Sequence, residues 1–170
     1  MNTYIGTKVV RAVAMTRAAY NALRGWMVPA DENGADEGYL VEYLDGGKPN
    51  VPGYTGYVSW SPKEQFENVY LNIANLSFGM ALEALRRGRR VARAGWNGGG
   101  QWVTLAGPKE GAKVHADSFW SAKNADFARD QPDGEVTVAP YFTLKNAQDQ
   151  IAVWVPSTSD CLANDWRVLA

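Results

Sequence analysis

Seven Trp, eight Tyr and five Phe share a 170-residue chain with 17 glycines. So many large flat side chains beside so many turn formers suit compact sheets joined by tight connections. The same excess suits a pocket that stacks flat ligands. Most of these aromatics are expected in the core, because in a fold this small each large side chain counts heavily toward burial.

Composition narrows the function classes. Apolar residues make up 46% and charged residues 21%, the balance of a globular chain, and the length allows one ordinary domain or two small ones. The formal net charge of -1 argues against a general nucleic-acid binder, since affinity for phosphate backbones needs surplus Lys and Arg. His115 and Cys161 stand alone in their types, so an internal disulfide, a structural zinc site and the usual two-His catalytic zinc site are all excluded within one chain. No cofactor or metal is expected. No apolar run approaches the ~18 residues of a membrane span. The segment MNTYIGTKVVRA does not read as a signal peptide, which leaves a soluble cytoplasmic protein as the expectation.

Periodicity and turn residues predict an α+β chain in two parts. Residues 1–72 read as a small β-barrel-like module. Its strands are predicted over 7–14, in GYLVEYL and over 57–60, and Thr16 and Gly25 bracket a short helix. Ser61-Pro62-Lys63-Glu64 spells a capping box with Pro at the first helical position, opening a second helix toward Tyr70. The polar stretch 71–76 is the expected boundary. Residues 73–170 read as an antiparallel sheet with one amphipathic helix, in which Phe78, Ala81, Leu82 and Leu85 share a face between Ser77 and Gly88. Strands are predicted over 89–96, 98–106, 140–145 and 150–155 and in the closing DWRVLA, with 107–139 as a long polar loop.

Enzyme motifs are mostly missing. GWNGGGQW sets its glycines between two strands and is not a dinucleotide fingerprint, no phosphate-binding G-x-x-x-x-G-K-[ST] loop occurs, and no Ser sits in a nucleophile-elbow context. His115 reads as a solvated loop residue and Cys161 as a buried small hydrophobe. RRGRRVAR places five Arg in eight residues. Arg86 and Arg87 complement a helix end, whereas Arg90 and Arg93, on a strand beside the aromatic turn, offer planar donors to an anion. Ser157, Thr158, Ser159 and Asp160 follow the strand carrying Trp154. They either cap the next turn or hydrogen-bond a ribose or base. Trp96 and Trp154 are expected at strand ends where one ligand meets both.

SFGMALEALRRGRRVARAGWNGGGQWV, followed by PYFTLKNAQDQIAVWVPSTSDCLANDW, resembles the Thoeris anti-defence proteins of the second type, a phage family. The likeness covers residues 77–166, with Thr143-Leu144-Lys145 where Met-Lys is commoner in the family. It implies a sponge in the cytoplasm of the infected host. Such a protein binds a cyclic ADP-ribose isomer, and in some members cyclic dinucleotides, without cleaving it, as a homo-oligomer with pockets between protomers. The residues it marks for the nucleotide are Phe78, Trp96, Asn97, Trp154, Ser157, Thr158, Ser159 and Asp160; Arg90 joins them on the anion argument above. A phage structural or assembly protein is the alternative, with the aromatics as core and interface. A hydrolase is a weaker third, because no nucleophile stands out.

Overall fold

The computed structural model describes residues 2–3, 6–108 and 110–169, and the chain divides into two compact units, Met1–Leu71 and Asn72–Ala170. In the first unit, strand β1 (Val10–Ala14) leads into helix α1 (Arg17–Arg24), then β2 (Gly38–Tyr43), β3 (Tyr57–Pro62) and helix α2 (Lys63–Val69). The Thr16 hydroxyl accepts from the Ala19 N–H at 3.3 Å to cap α1, and Gly25 closes it in the left-handed region at φ 68°. The three strands pair antiparallel in the order β1-β2-β3. Tyr20, Leu40, Val51 and Val58 form the core on one face, with Trp60 packed against them. On the other face Phe66 of α2 stacks on Tyr39 at 4.2 Å and on Tyr70 at 4.8 Å. The buried Glu42 carboxylate pins the long β2–β3 connection by accepting from Thr55 N–H and hydroxyl and from Gly56 N–H at 2.8 to 3.0 Å.

Two expectations change in this unit. The sheet is open, with β1 and β3 as its edges, so it is not barrel-like. Closing a barrel needs enough tilted strands to complete the hydrogen-bond ladder, and three do not suffice. The capping box at Ser61 does not form either. β3 runs on through Pro62, which pairs with Gly38, and Lys63 N–H donates to the Glu37 carbonyl; Pro62 becomes the cap position, without a side-chain cap bond.

In the second unit, helix α3 (Phe78–Arg86) precedes β4 (Arg90–Arg93) and β5 (Trp102–Ala106). A small subassembly follows: β6 (Ala112–His115), a single 3-10 turn (Ala116–Ser118), helix α4 (Ala122–Arg129) and β7 (Glu135–Val138). The chain then adds β8 (Tyr141–Lys145), β9 (Ile151–Trp154), the one-turn helix α5 (Thr158–Cys161) and β10 (Trp166–Leu169). Five strands make one antiparallel sheet in the order β10-β4-β5-β8-β9, and β6 pairs with β7 apart from it. Leu76, Ala81, Leu85, Val91, Val103 and Trp166 form the buried core between α3 and this sheet. Ala170, the last residue of the expected closing strand, lies outside the described residues.

The second unit therefore carries more than one helix, 107–139 is not a loop, His115 ends strand β6, and Cys161 is exposed on α5, not buried. Ala116, Ala125 and Ala128 bury their methyls where α4 meets the hairpin, a core too small to print a strong apolar period on the sequence. The boundary stretch is also partly structured. Leu76 exchanges both backbone hydrogen bonds with Trp166, at 2.7 and 3.1 Å, and Val168 N–H donates to Ile73 O at 2.9 Å. No described helix is long and apolar enough to cross a membrane.

Candidate functional site

Asp160 organises one end of the second unit. Its Oδ1 accepts from Arg93 at 2.9 Å and from Trp96 Nε1 at 3.2 Å; its Oδ2 accepts from the Ser157 N–H at 2.9 Å and the Ser157 hydroxyl at 2.6 Å. Ser157 Oγ in turn accepts from Asp160 N–H at 3.1 Å, which completes a capping box on α5. The Asp160 carbonyl takes the indole N–H of Trp166 at 3.0 Å. Burial pushes the Asp160 carboxyl up, but the bonds from Ser157, Arg93 and Trp96 outweigh it and lower the pKa to about 2. Arg93 also donates to Asp165 at 2.8 Å, and Gly95 N–H reaches the second oxygen of Asp165 at 2.7 Å. The Arg93 guanidinium, then the Gly95 N–H, hold the Asp165 carboxyl below its ordinary range despite burial.

Aromatic rings stack up against this hub. Trp96, Trp154 and Trp166 touch one another edge to face, with centroids 5.4 to 6.1 Å apart and planes at 70 to 77°. Phe142 packs on Trp154 at 5.9 Å and Phe78 on Trp166 at 5.5 Å. Trp96 and Trp154 do sit together, as expected, but in T-shaped contact at 6.1 Å. That geometry leaves no slot for a base between them. Of the expected anion binders, Arg93 is committed to Asp160 and Asp165. Ser157 and Asp160 cap α5 and hold Trp96; Ser159 Oγ lies 2.8 Å from Ser157 Oγ, and Thr158 is exposed.

Beside the hub, the segment between β4 and β5 wraps a cleft of about 570 Å³. Arg93, Trp96, Asn97, Gln101, Trp102 and Arg167 line it, together with the glycine run 98–100. Gly100 takes φ +67°, a conformation L side chains rarely adopt, and its carbonyl accepts from Lys145 Nζ at 3.2 Å. Arg90 stacks over the Trp102 ring with its guanidinium 5.4 Å from the centroid. Of the expected residues, Trp96 and Asn97 therefore border the cleft and Arg90 reaches its edge through Trp102. Phe78 and Trp154 belong to the aromatic cluster behind it.

Gln101, Trp102 and Arg167 are additions that spacing did not single out. A signal was present in β5: its alternation turns Val103 and Leu105 toward the core, which leaves Trp102 on the opposite face. No comparable cue marked Arg167, whose place depends on β10 pairing with β4 across the whole unit.

Residues 76–169 match the family of Thoeris anti-defense 2-like domains. This chain belongs to that family. It is similar to a protein of Bacillus phage SP01 named Thoeris anti-defense 2, at 33% identity over 95 residues that span 56% of this chain and 96% of the relative. The matched stretch contains the hub, the indole cluster and the cleft. Residues 1–75 lie outside the family match.

Proposed function

We propose that the second unit is a phage sponge against Thoeris defence. It binds a cyclic ADP-ribose isomer in the cleft beside the glycine run and holds it uncleaved, with a cyclic dinucleotide as a second ligand of the same chemistry. The observation that carries this reading is the cleft's composition. Trp102 offers a stacking face, Arg167 offers a guanidinium group to a diphosphate, Arg90 lies at the cleft's edge over the Trp102 ring, and the glycines let the backbone approach closely. Trp96 and Asn97 border the ligand, while Phe78, Trp154 and the Ser157–Asp160 turn hold that wall in place. Retention without chemistry is in keeping with the engagement of the Asp160 carboxylate beside the cleft, whose two oxygens already take four donors from within the chain and so are not offered to a ligand as a base.

The active form is a homo-oligomer with ligand sites at contacts between protomers. Edge strand β9 and the residue after it support the self-association, since Ile151, Val153 and Val155 are 57, 70 and 80% exposed on a strand with one unpaired side. Light scattering should give a mass of at least twice the monomer at micromolar concentration, and a monomer would overturn that part.

The function is tested by calorimetry with a cyclic ADP-ribose isomer, followed by mass spectrometry of ligand released on denaturation. Intact ligand supports the sponge, a converted product makes the protein an enzyme, and no binding returns it to a structural role.

A further inference from the structure

We propose a second ligand site, in the first unit: a shallow trough that takes a neutral sugar ring. The trough encloses about 550 Å³, within the range of small-molecule sites. Tyr43, Ser59 and Tyr70 line it with Tyr57, which is 46% exposed, and Lys8 and the glycine turn 46–47 complete its wall. Nothing in the family match reaches these residues.

The register builds the trough. Tyr43 and Tyr57 are direct cross-strand partners at the end of the β2–β3 ladder and point to the same face of the sheet. Tyr70 follows the end of α2 and is carried there by the Phe66 stack. Gly47, at φ +93°, brings the turn against Tyr57, where a Cβ would lie 3.0 Å from the Tyr57 Cβ.

Charge and ring geometry select the ligand class. Lys8 Nζ lies 5.0 Å over the Tyr43 ring and 3.6 Å from an Asp45 carboxylate oxygen. An anion drawn to Lys8 meets Asp45, and a cation drawn to the tyrosine faces meets Lys8, so neither sign is favoured. The Tyr43 and Tyr57 rings are inclined at 39° with centroids 6.4 Å apart, which makes an open V and not the parallel slot that grips a nucleobase on both faces. A pyranose has an apolar face for a single ring and a rim of hydroxyls that both donate and accept. The trough matches it with the exposed Tyr57 ring, the Ser59 and tyrosine hydroxyls and the Lys8 ammonium that lies over Tyr43. Burial, then Tyr43 through its charge and a hydrogen bond, and then the Asp45 charge raise the Tyr70 hydroxyl above its ordinary range.

The test is saturation-transfer NMR on the full chain with four disaccharides, maltose, cellobiose, lactose and chitobiose, and with adenosine as the flat heterocycle. At least one disaccharide should show transfer. Tyr57→Ala should weaken it at least 10-fold, Tyr57→Phe should keep it within about 3-fold, and Trp102→Ala should leave it unchanged. Tyr57 is exposed enough for the Ala variant to fold, and its melting curve checks that. No transfer from any disaccharide, adenosine binding lost in Tyr57→Ala, or sugar binding indifferent to Tyr57 each overturns the proposal. Because the nucleotide cleft is read separately through Trp102, failure here leaves the sponge reading standing, and the reverse also holds.

Discussion

Four donors on two carboxylate oxygens make Asp160 a strut, and the consequence is measurable as acid sensitivity. Its pKa is lowered to about 2 in the folded chain from an ordinary 3.8. The stabilisation is therefore complete above about pH 4 and is lost as pH falls toward 2. A shift of that size is worth about 2 kcal/mol. Asp160→Asn should cost a similar amount at neutral pH, because an amide N–H₂ turned toward the Ser157 N–H sets donor against donor, and it should flatten the fall in stability between pH 4 and 2. Denaturant melts of both proteins across that range check it; a variant as stable as the parent at pH 7 would remove the strut. The indoles divide in the same way. Trp166 is fully buried, and its truncation to Ala should cost ~3 to 5 kcal/mol. Trp96→Ala loses its bond to Asp160 and two edge contacts, so a melting loss is expected there as well, and Trp154→Ala behaves similarly. Trp102 faces away from the core, which makes Trp102→Ala the cleaner probe of stacking. It should melt near the parent and bind roughly 5- to 150-fold more weakly, the equivalent of ~1 to 3 kcal/mol. Normal binding by that variant would move the ligand off the cleft.

Short elements carry the next level of control, and here sequence legibility varies for physical reasons. α1 and α3 were readable because their signals are local: Thr16 and Gly25 bracket the first, and the Phe78, Ala81, Leu82, Leu85 face marks the second. Ser61 failed as a cap although its motif is complete, because β3 claimed the backbone through Pro62 first. Ser157 and Asp160 show the opposite outcome. The capping alternative is the one realised, and what sequence did not disclose is that the same carboxylate would also collect Arg93 and Trp96 from 60 or more residues away. Long-range partners of this kind leave no periodic trace. The glycine run gives the prediction at this scale. Gly100→Ala forces a side chain into φ +67° at a cost of ~1 to 2 kcal/mol. Its added methyl meets only Lys145 Nζ, at 3.5 Å. Thermal melts should show the modest loss, and calorimetry should show weaker nucleotide binding if the cleft needs that backbone. Unchanged stability would mean the turn relaxes to another conformation.

Across the whole molecule, the two units pose a question of autonomy that backbone hydrogen bonds answer better than composition does. The polar stretch 71–76 reads as a linker, yet its second half is tied into the second unit: Leu76 bridges Trp166 in both directions and Ile73 O accepts from Val168. A chain beginning at Asn72 keeps all three bonds and the core formed by Leu76 with Ala81, Leu85 and Trp166. It should fold, melt cooperatively and bind the nucleotide with the affinity of the full chain. A chain beginning at Ser77 discards the bridge and a side chain only 6% exposed. Burial of one Leu is worth ~1.5 to 3 kcal/mol, so with three hydrogen bonds at ~0.5 to 1.5 kcal/mol each the shorter chain should lose ~3 to 7.5 kcal/mol and melt far lower. Paired melting and calorimetry on the two truncated chains decide the matter. If both behave alike, residues 72–76 are a passive linker; if the longer one fails to fold, the units depend on each other and residues 1–71 are part of the family domain's support.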